Sequence, residues 1–295
     1  MDNAKTVRKR KMGQKARNSV VNGTIYVLLA VLGIVWVLPI VFLIYTAFRV
    51  TPNTGIINKL FPDDLKLGFD NFYILFTETQ FGLWLRNTII VAACSCLITT
   101  LFILMVSYAF SRMRFKMRKP LMNVMLILNM FPGFMSMIAI YFILKAMGLT
   151  NTLTALVMVY SGSAGMGYYI CKGFFDTIPR SLEEAAKLDG ASQWTIFWKM
   201  TLPLSKPIII YTVLTSFMGP WCDFIFAKLI INNTSPELFT VAIGLYNLIN
   251  ADKGSFNTWF TVFCAGSVIV GTIITILFLS MQKYYVAGVS QGAVK

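Results

Sequence analysis

The sequence predicts an all-α, polytopic membrane protein with six transmembrane helices and both termini on the cytoplasmic side. Three observations carry that expectation. Apolar residues make up 57% of the 295-residue chain and charged residues only 13%, with a mean hydropathy of +0.68. A soluble domain carries roughly a quarter charged residues, so this chain cannot coat a water-facing surface. The charges it has are gathered into clusters separated by long apolar stretches. Those stretches show no period-two alternation, which leaves helices as the way to satisfy the backbone in hydrocarbon.

A spanning helix needs about 20 apolar residues to cross roughly 30 Å of hydrocarbon. Stretches free of Asp, Glu, Lys and Arg give the spans in order. Thirty-one residues separate Arg17 from Arg49, 25 separate Arg86 from Arg112, and 25 separate Lys119 from Lys145. A further 26 separate Lys145 from Lys172, and 29 separate Lys253 from Lys283. The fifth span is the weakest, with 16 residues between Lys206 and Asp223 and an apolar run continuing to Ala227. The resulting organisation is a basic cytoplasmic tail over 1–23, a first span over 24–48 and an outer loop over 49–86. A five-helix core over 87–282, with an inner loop at 176–203, precedes a cytoplasmic tail over 283–295. The first run is too long for a cleaved signal and lacks a small-residue cleavage site, so it reads as a retained helix.

Orientation follows from the basic residues. With the N-terminus inside, the inner segments carry 19 of the 26 Lys and Arg against five of the 12 acids. The formal charge of +14 therefore sits on one face, as the positive-inside rule requires. That accounts for the charge by topology and anionic lipid, and no nucleic-acid partner is needed. The chain has no histidine, which removes Ser-His-Asp and Cys-His catalysis and histidine metal sites. The five cysteines (Cys94, Cys96, Cys171, Cys222 and Cys264) have no metal-cage spacing and read as small packing residues.

The longest inner loop is the most informative segment. Ser181-Leu182-Glu183-Glu184 reads as a capping box, with Ser181 as the N-cap and Glu184 bonding back. Glu184-Ala185-Ala186-Lys187-Leu188 favours helix, and Gly190 stands where a helix end wants a left-handed residue. Trp194, Phe197 and Trp198 then give a second short helix an aromatic face, which Leu202-Pro203 is expected to stop. The first helix suits docking into a groove of another protein, with Glu183, Glu184 and Asp189 at its rim. A solvated connector is the plain alternative.

Here the chain resembles a known family. Glu184-Ala185-Ala186, then Gly190, then Leu202-Pro203, with Met200 in place of the usual Ile, fits the EAA motif. That motif marks permeases of binding-protein-dependent ABC importers. Asn71-Phe72 with Trp84-Leu85 and Asn87, Ser107-Tyr108-Ala109-Phe110-Ser111-Arg112, and the tail Tyr284–Lys295 resemble the sugar permeases. Asn129-Met130-Phe131-Pro132 is similar to the maltose/maltodextrin type. The resemblance covers residues 24–295 and implies a MetI-like, type I importer fold in a bacterial cytoplasmic membrane. It implies a second homologous permease, a cytoplasmic ATPase dimer and an extracellular sugar-binding protein as partners. The ATPase-coupling residues it implies are Glu183, Glu184, Ala185, Ala186, Asp189, Gly190, Leu202 and Pro203, with Gln291 and Gly292 as an ATPase-contacting tail. ATP and magnesium belong to the partner, since this chain has no phosphate-loop motif and is not expected to bind a cofactor or to be an enzyme. Gly162, Gly165 and Gly167 read instead as helix-packing positions.

Polar groups within spans are candidates for a substrate pathway. Asn129 precedes Pro132, which is expected to kink the third span about 18 Å along it. Tyr160, Ser161 and Ser163 fall midway along the fourth span. These side chains suit sugar hydroxyls, and equally suit holding helices together. Asp223, in Trp221-Cys222-Asp223-Phe224, is placed near the outer interface, either in an outer gate or as an ordinary interfacial acid. An ion-coupled carrier would need acids buried mid-span and usually an internal repeat, and the sequence offers neither.

Overall fold

The structure, a computed structural model, describes residues 2–50, 66–163, 165–232, 235–250 and 256–293. The first helix, α1, runs Asp2–Phe48 and contains the apolar span Val21–Phe48. Beyond it, β1 (Arg49–Val50) pairs antiparallel with β2 (Lys66–Leu67), a short ladder that an all-helical expectation omits. The intervening part of the outer loop, 51–65, lies outside the described residues. Helix α2 (Asp70–Thr77) follows, and Asn71 Nδ2 ties it to the carbonyls of Ala47 and Arg49 at 2.9 Å each.

Helix α3 (Phe81–Arg112) is an unbroken rod of 32 residues and the structural spine of the bundle. Its first turns hold a distant loop. Trp84 Nε1 donates to the Pro236 carbonyl at 3.0 Å, and Asn87 Nδ2 donates to Glu237 and Phe239 carbonyls at 2.7 and 3.0 Å. Thr88 Oγ1 accepts from the Val241 N–H at 2.8 Å. The Trp84 and Asn87 positions of the sugar-permease pattern are thus the clamp for residues 236–241.

The third predicted span is broken rather than kinked. Helices α4 (Arg118–Met130) and α5 (Gly133–Ala146) meet at 102°. Phe131 is extended and Pro132 caps α5, so the chain turns instead of bending. The fourth predicted span is also two helices, α6 (Leu153–Gly162) and α7 (Gly165–Thr177). Among the described residues, three helices are long and apolar enough to cross a membrane, and up to five spans result if each bent pair counts as one. By length and composition the described helices thus account for three to five of the six expected spans.

After α7 come α8 (Arg180–Leu188), α9 (Gln193–Ile196), a π turn (Phe197–Thr201) and α10 (Leu202–Leu204). The predicted stop at Leu202-Pro203 does not occur. The Leu202 N–H reaches back to the Phe197 carbonyl, and this widened turn absorbs the bond that Pro203 cannot make. The chain turns only at Ser205, by 83°, into α11 (Lys206–Cys222). Short helices α12 (Ile225–Ile230) and α13 (Val241–Asn250) precede the long final helix α14 (Phe256–Ala293). Helix α3 packs on α11, α7 and α6, and α14 packs on α11, α1 and α13.

In a bilayer, helix association depends on close packing more than on water release, so small residues set the distances. Gly244 on α13 lies under the Trp84 indole, where an added Cβ would stand 2.1 Å from the ring. Gly167 on α7 receives Ile103 of α3 in the same way, which bears out its packing role. Cys96, Cys171 and Cys264 are buried, while Cys94 and Cys222 are exposed. We expect Gly244→Val to lower the melting temperature in detergent by about 5 °C, as overpacking against a rigid ring does. Gly82→Ala, with open space around it, is the control that leaves it unchanged.

Candidate functional site

The segment from α8 to α10 forms a compact joint with the end of α3. Arg112, whose side chain is 2% exposed, lies in charge contact with Glu183 of α8, Nε to Oε1 at 3.0 Å. Its Nη2 donates to the Phe175 carbonyl and, at 2.9 Å, to the Ile178 carbonyl at the end of α7. One residue back, Ser111 donates to Asp176 Oδ1 at 2.6 Å, and Lys172 pairs with the other oxygen of Asp176. Tyr108 donates to Gln193 Oε1 at 2.9 Å, and Ser107 donates to the Tyr168 carbonyl at 3.0 Å. Ser107, Tyr108, Ser111 and Arg112, four of the six residues of the motif, are thereby spent on contacts with α7, α8 and α9.

Two expectations for α8 need correction. Ser181 is not the N-cap. The helix starts at Arg180 behind Pro179, whose fixed φ presets the first turn, and no side chain caps it. Glu183 is not a rim residue either. It is 6% exposed and held by Arg112, because neighbouring helix positions point about 100° apart and only one of the paired glutamates can face out. Glu184 is the exposed one, together with Ala185 and Asp189, while Ala186 is half-buried.

The C-terminus of α8 meets its expectation. Gly190 has φ +80°, and the Ala191 and Gly190 N–H groups bond to the Ala186 and Lys187 carbonyls at 2.9 and 3.0 Å. This is a Schellman closure, which squares off the helix end. Ser181, Glu184, Ala185 and Leu188 share the outer face at i, i+3, i+4, i+7 spacing. Leu188, which sequence reasoning used only as a helix former, is 90% exposed. Its signal was that same spacing, once Glu183 is turned inward. Beside it lies a polar pocket of about 350 Å³ lined by Arg112, Arg114, Arg180, Lys187, Glu184 and Gln193 among others. Of the aromatic trio on α9 and the π turn, Phe197 is buried against Tyr108, and Trp194 and Trp198 stay exposed. Leu202 and Pro203 belong to the continued helix and not to the α8 face. Gln291 and Gly292 fall in α14, and their side chains lie outside the described residues.

A second site lies farther along α3. A cavity of about 380 Å³ is lined by the polar side chains of Thr99, Asn129, Tyr160, Ser163, Tyr211, Thr212, Thr215 and Ser216, and by Ile103, Met166, Gly167, Ile170, Gly219 and Pro220, which leave its surface mostly apolar. No lining side chain is charged. Several hydroxyls have given their proton to the backbone. Thr99 bonds to the Tyr160 carbonyl, Ser163 to Val159, Thr212 to Ile208 and Thr215 to Tyr211. Their oxygens keep acceptor capacity. Asn129 lines this cavity and an adjoining, mostly apolar one of about 770 Å³. Pro132 marks the break between α4 and α5 and lines neither. Ser161 is buried and does not line the cavity.

Asp223 is brought to Tyr160, a pairing that spacing did not reveal. Tyr160 Oη donates to Asp223 Oδ2 at 2.9 Å, and Asp223 Oδ1 accepts the Phe226 N–H at 3.0 Å, capping α12. Sequence reasoning also missed Thr99, Tyr211, Thr212, Thr215 and Ser216 as cavity residues. Hydroxyl residues three and four apart on α11 were the available signal.

A bundle of apolar helices of membrane-spanning length around an uncharged cavity, with a short helix exposed at one end, defines a multi-helix membrane component. The chain belongs to the family described as binding-protein-dependent transport system inner membrane component, whose profile matches residues 103–289. It is 35% identical to the maltodextrin transport system permease protein MalD of Streptococcus pneumoniae, over 95% of this chain and 98% of that protein. It is 32% identical to the galactooligosaccharides transport system permease protein GanQ of Bacillus subtilis, over 92% and 94% respectively. The maltose/maltodextrin transport system permease protein MalG of Escherichia coli is 34% identical over 72% of each chain. Its fold matches a crystal structure of a bacterial ABC transporter importing alginate, with TM-score 0.76 at 22% identity, covering 90% of this chain and 96% of that one.

The buried pair gives a direct test of the joint. Arg112→Met leaves a carboxylate buried without its partner, and we expect a loss of about 3–5 kcal/mol, read as a lower melting temperature of the purified protein. Replacing both Arg112 and Glu183 by apolar residues is expected to recover most of that loss.

Proposed function

We propose that this chain is the permease subunit of an ATP-driven importer of neutral oligosaccharides, of the maltodextrin type. It forms half of a translocation pathway with a second, homologous permease. Helix α8 lies on the cytoplasmic side, as do both termini, and docks into a cytoplasmic ATPase dimer that supplies ATP and magnesium chemistry. An extracellular binding protein delivers the sugar to the opposite face, where the loops around 49–86 and 229–256 lie. The relatives' names and the uncharged, acceptor-rich cavity support the sugar class, since sugar hydroxyls both donate and accept.

The observation that carries the reading is the outer face of α8. A leucine 90% exposed at the end of a squared-off helix is unfavourable in water. Burying it in a partner's groove gains about 1.5–3 kcal/mol. Glu184 and Asp189 flank it, and Arg114, Arg180 and Lys187 lie beside it for complementary charge. ATP-driven closure of the ATPase pair then moves α8 and rocks the permeases between inward- and outward-facing states.

In proteoliposomes holding the assembled importer, we expect maltotetraose uptake that requires ATP and survives dissipation of ion gradients. Uptake lost with the ion gradient but indifferent to ATP overturns the proposal. Leu188→Asp and Glu184→Lys are expected to cut ATPase co-purification and uptake at least tenfold while leaving membrane insertion unchanged. Gly190→Pro is expected to act likewise, since its N–H and its φ of +80° are both required for the closure.

A further inference from the structure

We propose that Arg112 and Glu183 form the rivet through which movement of α8 reaches the cavity wall, with α3 as the rigid lever. The inference rests on the reading above that α8 docks to an ATPase. Three features of the molecule lead to it. First, α8 has little other grip on the bundle, since Glu183 is its one buried residue. Second, the covalent routes out of α8 are indirect. One passes through the non-helical Ile178-Pro179 into α7, which itself packs on α3, and the other passes through the π turn and the 83° bend before α11. Third, the helix to which Glu183 is pinned runs unbroken from Arg112 to Phe81. That same helix lines the cavity with Thr99 and Ile103 and clamps residues 236–241 at its far end.

The joint is stiff in more than one direction. Arg112 Nη2 donates to two carbonyls on the α7 side while its Nε lies in charge contact with Glu183, so one buried side chain meets both α7 and α8. Tyr108 extends the grip to Gln193, at the start of α9. Displacement of α8 therefore displaces the end of α3. Thr99 lies 13 residues along that rod from Arg112, about 20 Å away at the helical rise. Arg112 and Glu183 are positioning residues in this scheme, with no contact to sugar or nucleotide.

The test uses the assembled importer with its ATPase, in a background with the five native cysteines replaced by serine. Nitroxide labels go on Leu182→Cys in α8 and Phe102→Cys in α3, both exposed positions. Distances are read by electron–electron double resonance without nucleotide and in an ATP-trapped state. The expected result is an unchanged distance between the two labels in the parent protein, because α8 and α3 move as one body. With Glu183→Gln added, the ATPase stays bound through the untouched outer face of α8, the distance shifts on ATP binding, and maltotetraose moved per ATP hydrolysed falls at least fivefold. Glu183→Asp, which keeps the charge on a shorter stem and guards against misfolding of the Gln variant, is expected to fall between the two. A distance that changes on ATP binding in the parent protein overturns the rivet. So does a Glu183→Gln protein that keeps both the fixed distance and the parent stoichiometry. Failure of the ATPase to co-purify with the parent protein overturns the docking reading and the rivet with it, whereas the first two results leave docking standing.

Discussion

One buried guanidinium constrains much of this structure. Taking an ion out of water costs several kcal/mol unless its partners are in place. Arg112, at the last position of α3, must therefore find a carboxylate and carbonyls, and it finds them on α8 and at the end of α7. Satisfying it brings three chain segments to one point. It also fixes the rotation of α8, since Glu183 must face inward. Glu184, Ala185 and Leu188 then face outward as a consequence and not as a separate design. The outward face of the short helix is in this sense dictated by an ion pair on its other side.

The helices divide into rods and hinges. Helix α3 is continuous, whereas α4 with α5 and α9–α10 with α11 turn through 102° and 83°. Breaks in a membrane helix free backbone groups that need partners, so they are tolerated beside polar side chains or a cavity. The ends of α4 and α6 lie in such places. Asn129 sits one residue before the end of α4 and lines the cavity, and Tyr160 and Ser163 sit at the end of α6. The polar positions and the helix breaks are two signs of one architectural need.

The spans that the charge pattern located best are the ones that stayed whole, α1, α3 and α14. Charge spacing reports where apolar chain begins and ends, but not whether it turns within the bilayer. Pro132 was legible as a disturbance, yet the turn also depends on Phe131 adopting an extended conformation, which is a matter of packing. Pro203 was misread as a stop because the preceding π turn, a five-residue adjustment, leaves no composition signal. The capping box failed for a local reason, because Pro179 starts the helix before Ser181 can cap it. Glu183 failed for a distant one, because its partner lies on another helix and pairing across the fold cannot be read from spacing. Gly190 was legible because the requirement for positive φ is local.

The chemistry of the cavity follows from how helices treat hydroxyl residues. A serine or threonine in a helix tends to donate its proton to the carbonyl a turn earlier. Ser163, Thr212 and Thr215 do so, and Thr99 donates across to α6. What these four residues offer the cavity is acceptor oxygen, alongside the second amide proton of Asn129, the Ser216 hydroxyl and the apolar side chains of Ile103, Met166 and Ile170. Asp223, the nearby acid, has one oxygen on Tyr160 and the other on the start of α12. Its charge is committed to holding α6, α11 and α12 together. An anion would meet acceptors, and a cation would meet no charge to offset its lost hydration. The same backbone hydrogen bonds that keep these helices intact thus leave the cavity wall without a formal charge, its hydroxyl oxygens interleaved with apolar side chains.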